Sequence, residues 1–336
     1  MEQVAKKPSL LPILLGGLLM VGILEVIPMG GGGVLLPLIF WTSIVQGALA
    51  LVAITEITGA GWIRPLKGDF LALSPLLLFF SILSLLLSLH LSDLYPWMGR
   101  SELWFNPIFF MGRTSFLIFC TYLLAQKLGQ GEKTYAVLYI LSFVTSQSLM
   151  AFDWVMSLEY PWFSTLFGAY FFVEAIYSAL AFSGILYFLL RHKIRDGETH
   201  KIYMKSKKDM ATLLFGFGVF WIYLFFSQFL VIWYGNLPEE IGYVAKRIYT
   251  APYCYFSILV FLLCFFIPFV TLMTQKVKGN ASLVVVVATG ILTGLFIEKL
   301  ILLLPSHPFN LLLIGGEFLC IGVVFGMVVY KRVLAE

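Results

Sequence analysis

Charge is scarce in this sequence. Of 336 residues only 12% are Asp, Glu, Lys or Arg, against 60% hydrophobic, where soluble domains carry roughly 25% charged residues. That shortage excludes a soluble globular protein and makes the bilayer the solvent. Metal and haem ligands are equally thin. The four cysteines, Cys120, Cys254, Cys264 and Cys320, all fall in apolar stretches without a C-x-x-C spacing, which argues against iron–sulfur ligation. His90 and His307 stand at the ends of apolar stretches, and His192 and His200 lie in a basic loop, so none is placed to ligate a haem inside the membrane. No nucleotide loop, metal-ligand cluster or catalytic triad is present. The run Gly30 to Gly33 lacks the preceding strand and following Lys-Ser/Thr of a phosphate loop and reads as a tight interhelical turn. No covalently attached or metal-ligated cofactor is expected, and any electron transfer falls to partner subunits.

What the chain has is long apolar runs. A spanning helix needs about 20 mostly apolar residues, and such runs recur from end to end. They predict a single all-α integral-membrane domain over 1–336 with about ten transmembrane helices, near 9–28, 34–55, 70–91, 105–126, 134–152, 163–190, 211–234, 251–274, 281–304 and 309–330. The first run follows Lys6 and Lys7 in the manner of a signal peptide, but it is long and lacks a small-x-small cleavage site. It reads as a retained span.

Ten spans place both termini on one side, and the basic residues sort accordingly. The loops on the terminal side hold 17 of the 22 Lys and Arg, among them Arg64, Lys67, Arg191, Lys201, Lys207 and Lys208. The opposite loops hold Arg100, Lys246 and Arg247, while Arg113 and Lys299 fall within spans. The positive-inside rule then predicts a multi-pass protein of a bacterial inner membrane with both termini cytoplasmic. Trp97, Trp104, Trp154, Trp162 and Trp233 fall near the outer face, where ordinary interfacial anchoring accounts for them. The basic loop 191–208 reads as a cytoplasmic segment touching anionic lipid.

A charge inside a spanning helix costs about 2.5–3.5 kcal/mol on insertion scales, so each one is a site hypothesis. At 1.5 Å per residue, Glu174 lies about 17 Å in from the outer end of its span, Arg113 and Glu317 about 12 Å, Glu298 and Lys299 about 9 Å, and Glu25 about 5 Å. Asp153 marks the outer end of the fifth span; Gln147 and Gln228 are also on the outer side, and Glu56 alone breaks the pattern. This distribution predicts a polar half-layer, a proton half-channel or cavity opening outward. The alternative is that Arg113 or Lys299 pairs with a carboxylate and merely fastens helices. Glu298 and Lys299 are sequence neighbours and cannot face each other on a helix, so each needs a partner elsewhere.

Two segments carry a family likeness. DWVMSLEYPWFSTLFGAYFF, from Asp153 to Phe172, and DMATLLFGFGVFWIYLFFSQFLVIWYGNLPEE, from Asp209 to Glu240, resemble the ActF-type membrane subunit of alternative complex III, also described as quinol:cytochrome c oxidoreductase quinone-binding subunit 2. Weaker matches are ITGAGWIRPL from Ile57, LYPWM from Leu94 and LWFNPIFFMGR from Leu103. The resemblance implies a polysulfide-reductase-like (NrfD-like) fold, two four-helix bundles with flanking helices. It also implies assembly with a homologous quinol-binding membrane subunit and with periplasmic multihaem cytochrome and iron–sulfur subunits. Where the family is expected to read Glu-Pro-His-Trp, this chain has Glu159, Tyr160, Pro161 and Trp162, so the histidine is absent.

The leading expectation is a membrane subunit of a quinol-oxidising respiratory complex with an outward proton path and a quinone-facing surface. Asp153, Glu159, Glu174, Glu298 and Glu317 are its expected acids and Arg113 its tuning cation; Ser146 and Asp153, seven apart, are expected on one helical face. A secondary transporter, with Pro75 and Pro268 as helix breaks, and a purely structural subunit are the alternatives.

Overall fold

The computed structural model describes residues 9–26, 33–100, 102–191 and 197–335. They form an all-α polytopic membrane protein, and among them there is no strand. Among the described residues nine helices are long and apolar enough to cross a membrane: α2 (Leu35–Thr58), α3 (Pro75–Leu94), α4 (Pro107–Leu128), α5 (Lys133–Glu159), α6 (Leu166–Leu190), α7 (Gly197–Gly235), α9 (Tyr253–Leu272), α10 (Ala281–Leu303) and α11 (Leu311–Leu334). The 16-residue apolar helix α1 (Leu11–Val26) precedes them, and the short helix α8 (Pro238–Ile248) bridges α7 and α9. Helices are the outcome because backbone polar groups without water must be satisfied within their own segment.

The sequence sets where they start. Asn106, Asn280 and Asn310 each accept hydrogen bonds from two backbone N–H groups of the first turn, opening α4, α10 and α11, as asparagine caps do. Gly59, with φ of 70°, ends α2 in the left-handed conformation and donates its N–H to Thr55.

Helices α2 to α5 pack as one four-helix group and α6, α7, α9 and α10 as a second. The central helices α2 and α6 are buried along most of their lengths and form the seam between the groups. Gly47 is what lets them close. A Cβ there would collide with the backbone carbonyl of Ala175, so only glycine permits this approach. Helices α1 and α11 pair with each other and lie against α3 and α2.

Several expectations need correction. The fifth span does not end near 152; a π-helical stretch at Met150–Val155 and a 3-10 turn carry α5 on to Glu159. The basic stretch expected as loop is helical from Gly197, so His200, Lys201, Lys205, Lys207 and Lys208 sit on a long extension of α7. Pro75 is the first residue of α3 and breaks nothing, because proline at a helix start loses no hydrogen bond. Pro268 follows a π-helical stretch at Leu262–Phe266, and α9 continues past it. Trp97, Trp154 and Trp162 are buried within the protein, so of the five expected belt tryptophans only Trp104 and Trp233 are exposed. Of the expected glycine turn, Gly30 to Gly32 lie outside the described residues.

Candidate functional site

At the end opposite the termini, the second helix group encloses a cavity between α6, α7, α9 and α10, roofed by α8. Its walls are aromatic and aliphatic, with Phe167 and Tyr170 from α6, Trp221, Phe225 and Phe229 from α7, and Val260 and Phe261 from α9. Trp221 stacks with Phe225 at 5.8 Å between ring centroids. The cavity is ≈ 120 Å³, smaller than the about 300–1,000 Å³ of sites that enclose a whole small organic ligand. Phe225, Phe229, Phe261 and Ile248 are exposed on the outer surface of the helices. On α7 and α9 the lining residues thus reach the surface that these apolar helices expose.

The lining carries buried polar atoms without hydrogen-bond partners among the described residues. They are Glu298 Oε2, Gln228 Nε2, Tyr170 Oη, Trp221 Nε1, Tyr243 Oη and Arg247 Nε. Each such atom costs about 1–3 kcal/mol when left unpaired, so their clustering on one apolar cavity makes it the candidate site. They lie at two levels. Tyr243 and Arg247 belong to the roof; Arg247 also donates from Nη2 to the carbonyl of Leu302 at 2.9 Å. Glu298, four residues before Leu302 on α10, lies about 6 Å below that carbonyl.

The roof is firmly held. Arg247 donates from Nη1 to the Tyr243 carbonyl at 2.7 Å and from Nη2 to Glu159 Oε1 at 3.2 Å, and its guanidinium covers the Tyr243 ring at 3.7 Å. Lys246 reaches Glu159 Oε2 at 2.9 Å, and Ser306 donates to Glu159 Oε1 at 2.9 Å. Glu159, at the end of α5, thus pins α8 down. Trp162 stacks on Tyr243 with ring centroids 3.6 Å apart. Burial pushes the Tyr243 phenol above its ordinary value, with Arg247 opposing and Glu159 adding to the rise, so the hydroxyl stays a donor at neutral pH.

The remaining expected site residues divide. Arg113 makes a two-pronged contact with Asp153, Nε to Oδ2 and Nη2 to Oδ1 both at 2.7 Å. Its third nitrogen donates to the Trp104 carbonyl at 2.8 Å, and Thr114 donates to Asp153 Oδ2 at 3.2 Å. Lys299 turns away from Glu298 to pair with the buried Glu174, its ammonium 3.9 Å over the Phe171 ring. Glu25 and Glu317 come together elsewhere, on α1 and α11, and Glu56 pairs with Lys67 at the terminal end.

Gln147 belongs to a neutral network inside the first helix group. Gln147 Nε2 donates to Gln46 Oε1 at 2.8 Å, and Gln46 Nε2 donates to Thr121 at 3.2 Å and to Ser146 at 3.1 Å. Ser146 therefore serves Gln46 while Asp153 serves Arg113, and the two expected face-mates have no common partner. Of the expected residues the cavity gathers Glu298 and Gln228, with Glu159 behind its roof. Sequence reasoning missed Gln46, Tyr170, Trp221, Tyr243 and Arg247; only Gln46, an amide in an apolar run, stood out enough to be found.

Among the described residues no group of three or more His, Cys, Asp and Glu is arranged to hold a metal ion. No family model matches the chain, and no curated protein matches it. Fold and site together define a multi-pass integral membrane protein of the all-α class, with a small, mainly aromatic and aliphatic cavity in its second helix group.

Proposed function

We propose that this chain is an integral-membrane subunit of a quinol-oxidising respiratory complex of the alternative complex III type, and that the cavity under α8 is its quinone-facing surface. The observation that carries the reading is the convergence of Glu298, Gln228, Tyr170, Tyr243 and Arg247 on an aromatic cavity whose lining reaches the exposed apolar surface of α7 and α9. A quinone ring is flat and apolar across its faces and has oxygens on opposite edges. The aromatic walls suit the faces, and the roof and Glu298 suit the two edges. A bound quinol supplies electrons and protons; the chain's part is to hold the ring, exclude water and accept a proton at Glu298 Oε2.

The proton half-channel of this reading runs from Glu298 past the roof to Glu159, Lys246 and Ser306, where Lys246 is half-exposed at 52% of its side chain. Arg113 with Asp153 and Lys299 with Glu174 are closed ion pairs, and for them the fastening role is the better reading. Their neutrality within the membrane removes most of the insertion cost that isolated charges carry. The bacterial inner membrane, cytoplasmic termini and a homologous quinol-binding partner subunit with multihaem cytochrome and iron–sulfur subunits belong to the same proposal.

The test is isolation from the native membrane with partners attached. Co-purification of multihaem cytochrome and iron–sulfur subunits, and quinol oxidation that falls at least about 10²-fold in Glu298→Gln, are the expected results. A lone homo-oligomer would point to transport, and full turnover in the assembled Glu298→Gln complex would remove the cavity from the reaction.

A further inference from the structure

A second site lies outside both helix groups, between α1, α11 and the end of α3. Glu25 on α1 is 2% exposed and Glu317 on α11 is 0% exposed, and their carboxyl groups come together at the adjacent residues Val34 and Gly33. Their surroundings differ. Glu25 Oε1 accepts the Val34 N–H at 2.9 Å, and Glu25 Oε2 lies 2.8 Å from His90 Nε2, which is also 3.1 Å from the Glu25 carbonyl. Neither oxygen of Glu317 has a hydrogen-bond partner among the described residues. Glu317 Oε2 is only 2.6 Å from where a Cβ on Gly33 would stand, so glycine at 33 makes room for the carboxyl.

We infer that Glu25 and Glu317 form a proton-binding site that holds one shared proton and exchanges it with the face opposite the termini through His90. Two buried carboxyl groups side by side cannot both be ionised. The N–H donors fall on Glu25, which holds the negative charge, and Glu317, which no such donor reaches, holds the proton and shares it with Glu25. His90 is 15% exposed, and its Nδ1 is 4.0 Å from Asp93 Oδ2, whose side chain is 64% exposed. A solvent proton binds His90 Nδ1 as the Nε2–H bond breaks and an O–H bond forms on Glu25, leaving both carboxyl groups neutral. The two acids trade protons across their contact, and the reverse transfer through His90 returns one proton to solvent and restores the single shared proton. Bonds made equal bonds broken at every transfer, and His90 passes through its other neutral tautomer. The titratable groups facing the pair are His90 and Asp93 from α3 and Cys320 from α11, with His307 near Asp93. The site shares no residue with the α8 cavity, so it stands whether or not that cavity holds a quinone.

Infrared spectroscopy of the full chain in lipid nanodiscs tests this, reading the carbonyl stretch of protonated carboxylic acid at neutral pH and its shift on transfer to D₂O. The wild-type band should contain a component that disappears in Glu317→Gln and survives in Glu298→Gln. In His90→Gln the component should remain and exchange with deuterium at least about tenfold more slowly, a readout that does not depend on the buried variant folding. An unchanged band in Glu317→Gln overturns the shared proton. Unchanged exchange in His90→Gln overturns the route, and loss of the component on adding sodium chloride overturns the proton in favour of a cation.

Discussion

Glu298 and Lys299 are chain neighbours with opposite fates, because consecutive helical residues point about 100° apart. Lys299 swings into the group's interior to meet Glu174 and the Phe171 ring, while Glu298 turns to the cavity with one oxygen unpartnered. Removing one partner of a buried pair leaves an uncompensated charge and costs about 3–5 kcal/mol, whereas removing both can be nearly neutral. Lys299→Met should therefore lower the thermal midpoint in detergent strongly, and the double variant Lys299→Met/Glu174→Gln should recover most of it. A double variant as unstable as the single one would show that the pair does more than neutralise itself. The Arg113 and Asp153 pair has a stricter geometry, since both carboxylate oxygens and a backbone carbonyl are met by one planar guanidinium. Lysine keeps the charge without the fork, so Arg113→Lys should destabilise although charge is conserved.

Among the elements, α8 is the one whose position decides access. It is short, carries its basic residues in its last turn, and is tied to α5 and to the turn after α10 through a single carboxylate, Glu159. Glu159→Gln should loosen the helix over the cavity. Amide hydrogen exchange across 238–248 should then rise, and the Tyr243 phenol, held high chiefly by burial, should ionise at a lower pH, moving toward the ordinary value of about 10. The difference between spectra of Glu159→Gln with and without Tyr243→Phe isolates that tyrosine. An unmoved Tyr243 titration in the variant would mean that the Trp162 stack, not the carboxylate, holds the roof. The π-helical stretches in α5 and α9 belong to the same scale. Asp153 lies within one, and the other frees the Cys264 carbonyl to accept the Tyr177 hydroxyl at 2.7 Å, the kind of local distortion that often accompanies function.

For the whole molecule, the sequence made the helices legible and left their partners hidden. Apolar runs of spanning length can do little in a bilayer except form helices, which is why α2 to α4, α6 and α9 to α11 fall within a few residues of expectation. Pairing is a different matter: Arg113 meets Asp153 across 40 residues of chain and Lys299 meets Glu174 across 125, separations that no local pattern encodes. The cavity was half legible. Glu298 and Gln228 stood out as polar residues in apolar runs, but Trp221, Phe225 and Tyr170 are residue types that face lipid as readily as a ligand. The buried tryptophans show the same ambiguity, since depth along a helix does not say whether a ring faces a neighbour or the membrane. The glycines had to await packing too. Gly47 and Gly216 look alike in sequence, yet a Cβ at Gly47 would strike the Ala175 carbonyl across the seam between the helix groups, while one at Gly216 meets nothing within 4 Å. Gly47→Ala should therefore force α2 and α6 apart, cost about 1–3 kcal/mol by overpacking, and lower the thermal midpoint in detergent. Gly216→Ala should cost nothing, because an exposed helical alanine is favoured over glycine. Equal midpoints for the two variants would mean that the seam yields without strain and that the two groups are joined by other contacts than the α2–α6 approach.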